Sequence, residues 1–126
     1  MRQAGIIAAA ALYALDNHIE RLAEDHAHAK LLAETVRQVP GLKLIGETVD
    51  TNIVIFQVEP TLGTAEEFCQ RLADQGVLML DIAADRVRAV THLDVDAAAA
   101  RRAGEVIADV VKNPAKHHGS RRVSYA

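Results

Sequence analysis

The sequence predicts an α/β fold, a two-layer domain with the element order α-β-β-α-β-β-α. Three observations predict it. The first 39 residues carry a helical repeat of apolar positions. Ile53-Val54-Ile55-Phe56 is a continuous β-branched and aromatic run. Two further helical stretches with their own start signals alternate with short strand-like segments up to Asn113.

The elements follow in order. From Gln3 to Val39 one long N-terminal helix is expected, with Ile19, Leu22, Ala29, Leu32 and Val36 on one face. Pro40-Gly41 stops it. Its first half, Ile6 to Leu15, is apolar nearly all round, which calls for burial on all sides, and the rest of the chain is too small to provide it. A short strand is expected at Leu42 to Ile45, and a stronger one at Asn52 to Val58, buried on both faces. Thr64-Ala65-Glu66-Glu67 has the spacing of a capping box. The helix it opens is expected to run to Gln75, to present Phe68 and Leu72 inward and to close at Gly76. Strands are expected at Val77 to Leu80 and Arg86 to Thr91. Asp94 or Asp96 caps the last helix, on which Ala99, Ala103, Val106 and Val110 share a face. Residues 1–112 form one domain on this reading, and 113–126 a disordered polar tail.

Composition narrows the function. Of 63 apolar residues 23 are alanine and none is tryptophan, so the core this chain builds alone is thin and its Ala-rich helices are expected to pack on something outside it. The net charge is −3, and residues 1–112 alone stand at −6. No basic stripe with interleaved aromatics points to nucleic acid. No apolar run reaches the roughly 18 residues that cross a bilayer. Gly5 to Leu15 runs into Asp16-Asn17-His18 without a clear cleavage site, so it reads poorly as a signal peptide and the expected compartment is the cytoplasm. Cys69 is the single cysteine, which excludes an internal disulfide, and its place beside Phe68 inside a helix reads as a small buried hydrophobe. Six histidines are present, but His18, His26 and His28 lack the i, i+4 spacing that grips a metal ion, and no metal is expected.

The segment Arg86-Val87-Arg88-Ala89-Val90-Thr91-His92-Leu93-Asp94 is the most informative. Strand alternation places Arg86, Arg88 and Val90 on one face and Val87 and Ala89 on the other. Two readings stand. Either the arginines line a solvated edge strand, which spacing alone favours, or a guanidinium held among apolar groups binds a carboxylate or phosphate through its planar fork. His92 with Asp94 is an oriented imidazole or a helper of the helix cap. Arg2 precedes a helix start, where anions are favoured, or it is a frayed terminal residue.

Several motifs in order resemble one family. Met1-Arg2-Gln3-Ala4-Gly5-Ile6, Tyr13-Ala14-Leu15, Arg21-Leu22-Ala23-Glu24-Asp25-His26, Asp50-Thr51-Asn52 and Arg88-Ala89-Val90-Thr91-His92-Leu93-Asp94-Val95 look like the C-terminal region of low-specificity L-threonine aldolases, over Met1 to about Val111. The resemblance implies the C-terminal small domain of a fold-type I enzyme dependent on pyridoxal 5'-phosphate (PLP), which cleaves L-threonine or L-allo-threonine to glycine and acetaldehyde. It implies that Arg88 holds the substrate α-carboxylate and that Arg2 binds an anionic group of the cofactor–substrate adduct. The family's Schiff-base lysine, ring-stacking histidine and pyridine-pairing aspartate have no counterpart here, so no catalytic residue is expected in this chain and no activity from it alone. The implied partners are the rest of the subunit and a homo-oligomer, dimer or tetramer, with a small amino acid as substrate. A stand-alone interaction module, or a relic reading frame, is the alternative.

Overall fold

A computed structural model describes residue 2 and residues 4–113. The expected tail lies outside the described residues from Pro114 onward. Four helices and four strands follow one another as α1 (Gly5–His18), α2 (Leu22–Gln38), β1 (Leu42–Leu44), β2 (Ile53–Val58), α3 (Ala65–Ala73), β3 (Leu80–Ala83), β4 (Arg86–Val90) and α4 (Ala97–Lys112). A single 3-10 turn, Pro60–Leu62, connects β2 to α3.

The strands make one antiparallel sheet in the order β1-β2-β4-β3. β2 and β4 pair from Ile53↔Val90 to Gln57↔Arg86. β3 returns on β4 with Leu80 opposite Arg88 and an irregularity between Asp81 and Ala83. β4 is therefore an inner strand, which removes the edge-strand reading of its arginines.

One face of the sheet is covered. Val54, Phe56 and Val58 of β2 and Val87 and Ala89 of β4 pack with Ala29, Leu32, Ala33 and Val36 of α2, Phe68 and Leu72 of α3, and Val106, Ile107 and Val110 of α4. The rings of Phe56 and Phe68 meet edge to face at 6.2 Å between centroids, which adds about 0.5–1.5 kcal/mol to their burial. The other face is open: Ile53, Leu80, Ile82 and Val90 are exposed there. The expectation that β2 is buried on both faces holds for one face only, because no described element lies on the second.

The first helical stretch is two helices. At the joint the backbone stays right-handed, with Ile19 at φ −65°, ψ −50° and Arg21 at φ −71°, ψ −12°. The hydrogen bonds tighten to i→i+3 spacing, from the amides of Leu22, Ala23 and Glu24 to the carbonyls of Ile19, Glu20 and Arg21. Ile19 and Leu22 are exposed, and the buried face of α2 is Asp25, Ala29, Leu32, Ala33 and Val36. No residue of α1 is buried, and Ile6 is 84% exposed. α1 is the apolar segment expected to need outside cover, and nothing described provides it. No described helix is long and apolar enough to cross a membrane.

Local signals fare well. Thr64 and Glu67 form the reciprocal capping box, with bonds of 3.2 and 2.9 Å. Asp96, not Asp94, caps α4 by accepting from the Ala99 amide at 2.7 Å. Gly41 ends the turn after α2 at φ +86°, a conformation that favours glycine. α3 stops at Ala73 rather than Gln75. β3 lies three residues later than expected, at Leu80–Ala83, because its pairing with β4 through the Ala84-Asp85 turn sets its place. On α4 the buried set is Ala100, Gly104, Val106, Ile107 and Val110, so Ala99 lies outside it and Ala103 at its margin.

Candidate functional site

β4 delivers its side chains in strict alternation. Val87, Ala89 and the following Thr91 are buried, whereas Arg88, Val90 and His92 face the open side. Arg88 lies between Ile55 of β2 and Leu80 of β3 in the ladder, so aliphatic neighbours flank its stem on both strands. Its Nε is buried and meets no hydrogen-bond acceptor. An unanswered guanidinium NH in such a place is costly, and its planar fork suits a carboxylate or phosphate acceptor. Arg86 differs: it is exposed and faces Asp85 at 3.9 Å. Of the two arginines only Arg88 is thus left without a partner among the described residues.

In front of Arg88 lies an open cleft of about 340 Å³, lined by Leu78, Met79, Leu80, Arg88, Val90 and His92. The wall is apolar apart from two nitrogen-bearing side chains. His92 Nδ1 accepts from the Asp94 amide at 3.3 Å and lies 3.7 Å from the Asp94 carboxylate. His92 thus has one backbone donor on Nδ1 beside the cleft, and the N-cap of α4 is Asp96.

The floor of the site is pinned from inside. The Thr91 amide donates to the Asn52 carbonyl at 2.9 Å, and Asn52 Nδ2 donates back to the Thr91 carbonyl at 2.7 Å. Thr91 Oγ1 donates to the Asp25 carbonyl at 2.7 Å. Asp25 in turn receives both terminal nitrogens of Arg21, at 2.8 and 3.1 Å. Sequence reasoning singled out Arg88 and His92 as candidates but not this support. The available signal was a pair of polar residues, Asn52 and Thr91, at the ends of otherwise apolar strands.

Arg2 is exposed and has no partner among the described residues. Cys69 is buried, and burial, followed by the nearby Asp81 charge, pushes its thiol up to about 12. That agrees with a packing role. Lys30, Lys43 and Lys112 are all exposed, and none lines the cleft.

Comparison with known proteins shows what the chain as a whole is similar to. The family model of the beta-eliminating lyases matches residues 1–60. "Probable low-specificity L-threonine aldolase 2" of Arabidopsis thaliana is 40% identical over 94 residues, 73% of this chain and 26% of that protein. The "Low specificity L-threonine aldolase" of Escherichia coli K12 is 41% identical over 96 residues, covering 75% and 26% of the two chains. Among solved structures, the cystine C-S lyase C-DES in complex with cysteine persulfide aligns with a TM-score of 0.69 at 23% identity, over 84% of this chain and 28% of that one. A mutant of the same lyase holds glycine covalently linked to its PLP cofactor. At that identity the likeness shows a shared fold, that of fold-type I PLP enzymes. The chain spans about a quarter of the length of the curated relatives it matches. The chain is thus similar in sequence to low-specificity L-threonine aldolases over about three quarters of its length, and its fold is that of fold-type I PLP enzymes.

Proposed function

We propose that this chain is the C-terminal part of a PLP-dependent L-threonine aldolase subunit, an enzyme that cleaves L-threonine or L-allo-threonine to glycine and acetaldehyde. The observation that carries the reading is the buried, unanswered Nε of Arg88 on an inner strand, facing a cleft with apolar walls. Arg88 binds the substrate α-carboxylate there and fixes how the amino acid lies, so that the bond to be broken is held in one orientation. Arg2 binds a further anionic group of the cofactor–substrate adduct. PLP supplies the electron sink when bound. Its amine anchor comes from outside this chain, and the 126 residues alone are inactive. The rest of the subunit and further copies of it cover α1 and the open sheet face. The single buried thiol and the absence of a disulfide fit the cytoplasm.

The test is Arg88→Ala in a complete subunit carrying this sequence. Loss of a charge-assisted contact of about 1.5–3 kcal/mol lowers kcat/KM for L-threonine roughly 10–150-fold. An unchanged kcat/KM rejects the role. Release of glycine from L-threonine by the purified 126-residue chain, above a no-protein control, rejects the inactivity.

A second reading rests on α1, whose apolar side chains are all exposed. On it the chain is a non-catalytic module that docks on an intact aldolase subunit. Co-purification with such a subunit as a separate 13.6 kDa polypeptide would favour this reading.

A further inference from the structure

We propose that His92 is the second donor of the anion site at Arg88, so that the cleft grips a carboxylate through two residues. The inference builds on the reading of Arg88 given above. Three features carry it.

First, the alternation along 87–92 continues past the end of β4, and it puts His92 on the same open side as Arg88 and Val90. Four residues of extended chain separate Arg88 from His92, about 13 Å between their Cα atoms. An arginine stem is long enough to bridge much of that span, and both side chains line the one cleft.

Second, the ring is oriented. Nδ1 of His92 accepts from the Asp94 amide at 3.3 Å, which leaves the proton of the neutral imidazole on Nε2. The outward nitrogen is therefore a donor. The next residue inward, Thr91, is held by Asn52 and by the Asp25 carbonyl, so the backbone from which His92 projects is fixed.

Third, the cleft is one-sided in its chemistry. Its polar side chains are Arg88 and His92, both donors, and Leu78, Met79, Leu80 and Val90 bring no charged side chain. Such a lining selects an anion over a cation or a neutral amide. His92 acts on binding, as a positioning contact to the ligand; no bond is made or broken by it.

Chemical footprinting of the full 126-residue chain tests this. Arg88 is modified with phenylglyoxal and His92 with diethylpyrocarbonate, each read by peptide mass spectrometry. The probe is N-acetylglycine at constant ionic strength, and N-acetylglycinamide is the neutral control. The expected result is protection of both residues at the same half-effective concentration by the carboxylate, none by the amide, and no protection of the exposed Arg101 and Arg102. His92→Ala raises the concentration that protects Arg88 about three- to tenfold, and His92→Gln, which offers an amide donor near the Nε2 position, recovers most of it. The side chain of His92 is 56% exposed, so both variants fold. Protection of Arg88 without His92, or an unchanged midpoint in His92→Ala, overturns the role of His92 and leaves Arg88 standing. Protection of neither, or equal protection by the amide, overturns both.

Discussion

Thr91 Oγ1 donates to the backbone carbonyl of Asp25 at 2.7 Å, across 66 residues of sequence, and each residue is only 3% exposed. This bond joins α2 to the strand end that carries Arg88 and His92. Thr91→Val keeps the shape and removes the donor. The expected cost is about 1 kcal/mol, read as a lower urea midpoint with an unchanged slope, and Thr91→Ser recovers much of it. A Thr91→Val midpoint equal to the parent's would show that the bond contributes nothing.

The Asp25 side chain is 4% exposed and Arg21 is its ion-pair partner. Removing one partner of a buried pair strands the other charge. Arg21→Met therefore costs about 3–5 kcal/mol, whereas Arg21→Met with Asp25→Leu costs much less. Denaturant unfolding of the two single variants and the double variant measures the coupling. Additive losses would mean that the two charges act independently.

Gly104 lies in the middle of α4, where alanine is the better helix former by up to about 1 kcal/mol. A Cβ there would lie 2.8 Å from Thr35 Oγ1, 3.1 Å from its Cγ2 and 3.3 Å from its Cβ, so no rotation of Thr35 makes room. Gly104→Ala is expected to lose about 1–3 kcal/mol. Adding Thr35→Ala removes the two nearest atoms and restores most of the loss. A Gly104→Ala chain with a raised Tm would show that α2 and α4 separate freely.

Cys69 contributes a pH dependence. Its ordinary value is 9.0 and burial raises it to about 12 in the folded chain. The folded state thus holds the thiol proton where the unfolded state releases it. Stability from this group is complete below pH 9, and it is lost as pH rises from about 9 toward 12. Labelling by a thiol-directed disulfide reagent at pH 8–9 is expected to be slow and set by unfolding, with fast labelling only in denaturant. Rapid labelling of the native chain would contradict the buried placement.

The apolar face of α1 predicts that the isolated chain self-associates and binds a dye for apolar surface. Light scattering decides it. A clean monomer without dye binding would mean that α1 folds back onto the domain.

The parts legible from the sequence were local. The Thr64–Glu67 box, a cap at Asp94 or Asp96 and the in-out alternation of β4 each depend on residues within a few positions of one another. What escaped was non-local. Nothing near Arg88 says that β3 lies on its far side, so the strand looked fit for an edge, and only the pairing Leu80↔Arg88↔Ile55 turns it into the inner strand of a site. The helix joint escaped for another reason. The apolar repeat continues through Ile19 and Leu22, and the backbone stays right-handed, so only the shorter hydrogen bonds mark the break. The exposed Ile53 and the half-buried Ile55 looked like the second face of a buried strand. That face is real, but its cover is not among the described residues.

The joint at 19–21 divides the chain by purpose. Every residue of the hydrophobic core lies at Ala29 or later, and the Arg21–Asp25 pair is intact from Arg21 onward. The packed interior therefore begins after the joint, and α1 takes no part in it. A shortened chain starting at Glu20 sheds most of the sticky helical surface at no cost to the interior, which makes it the natural starting point for engineering a soluble version of this domain.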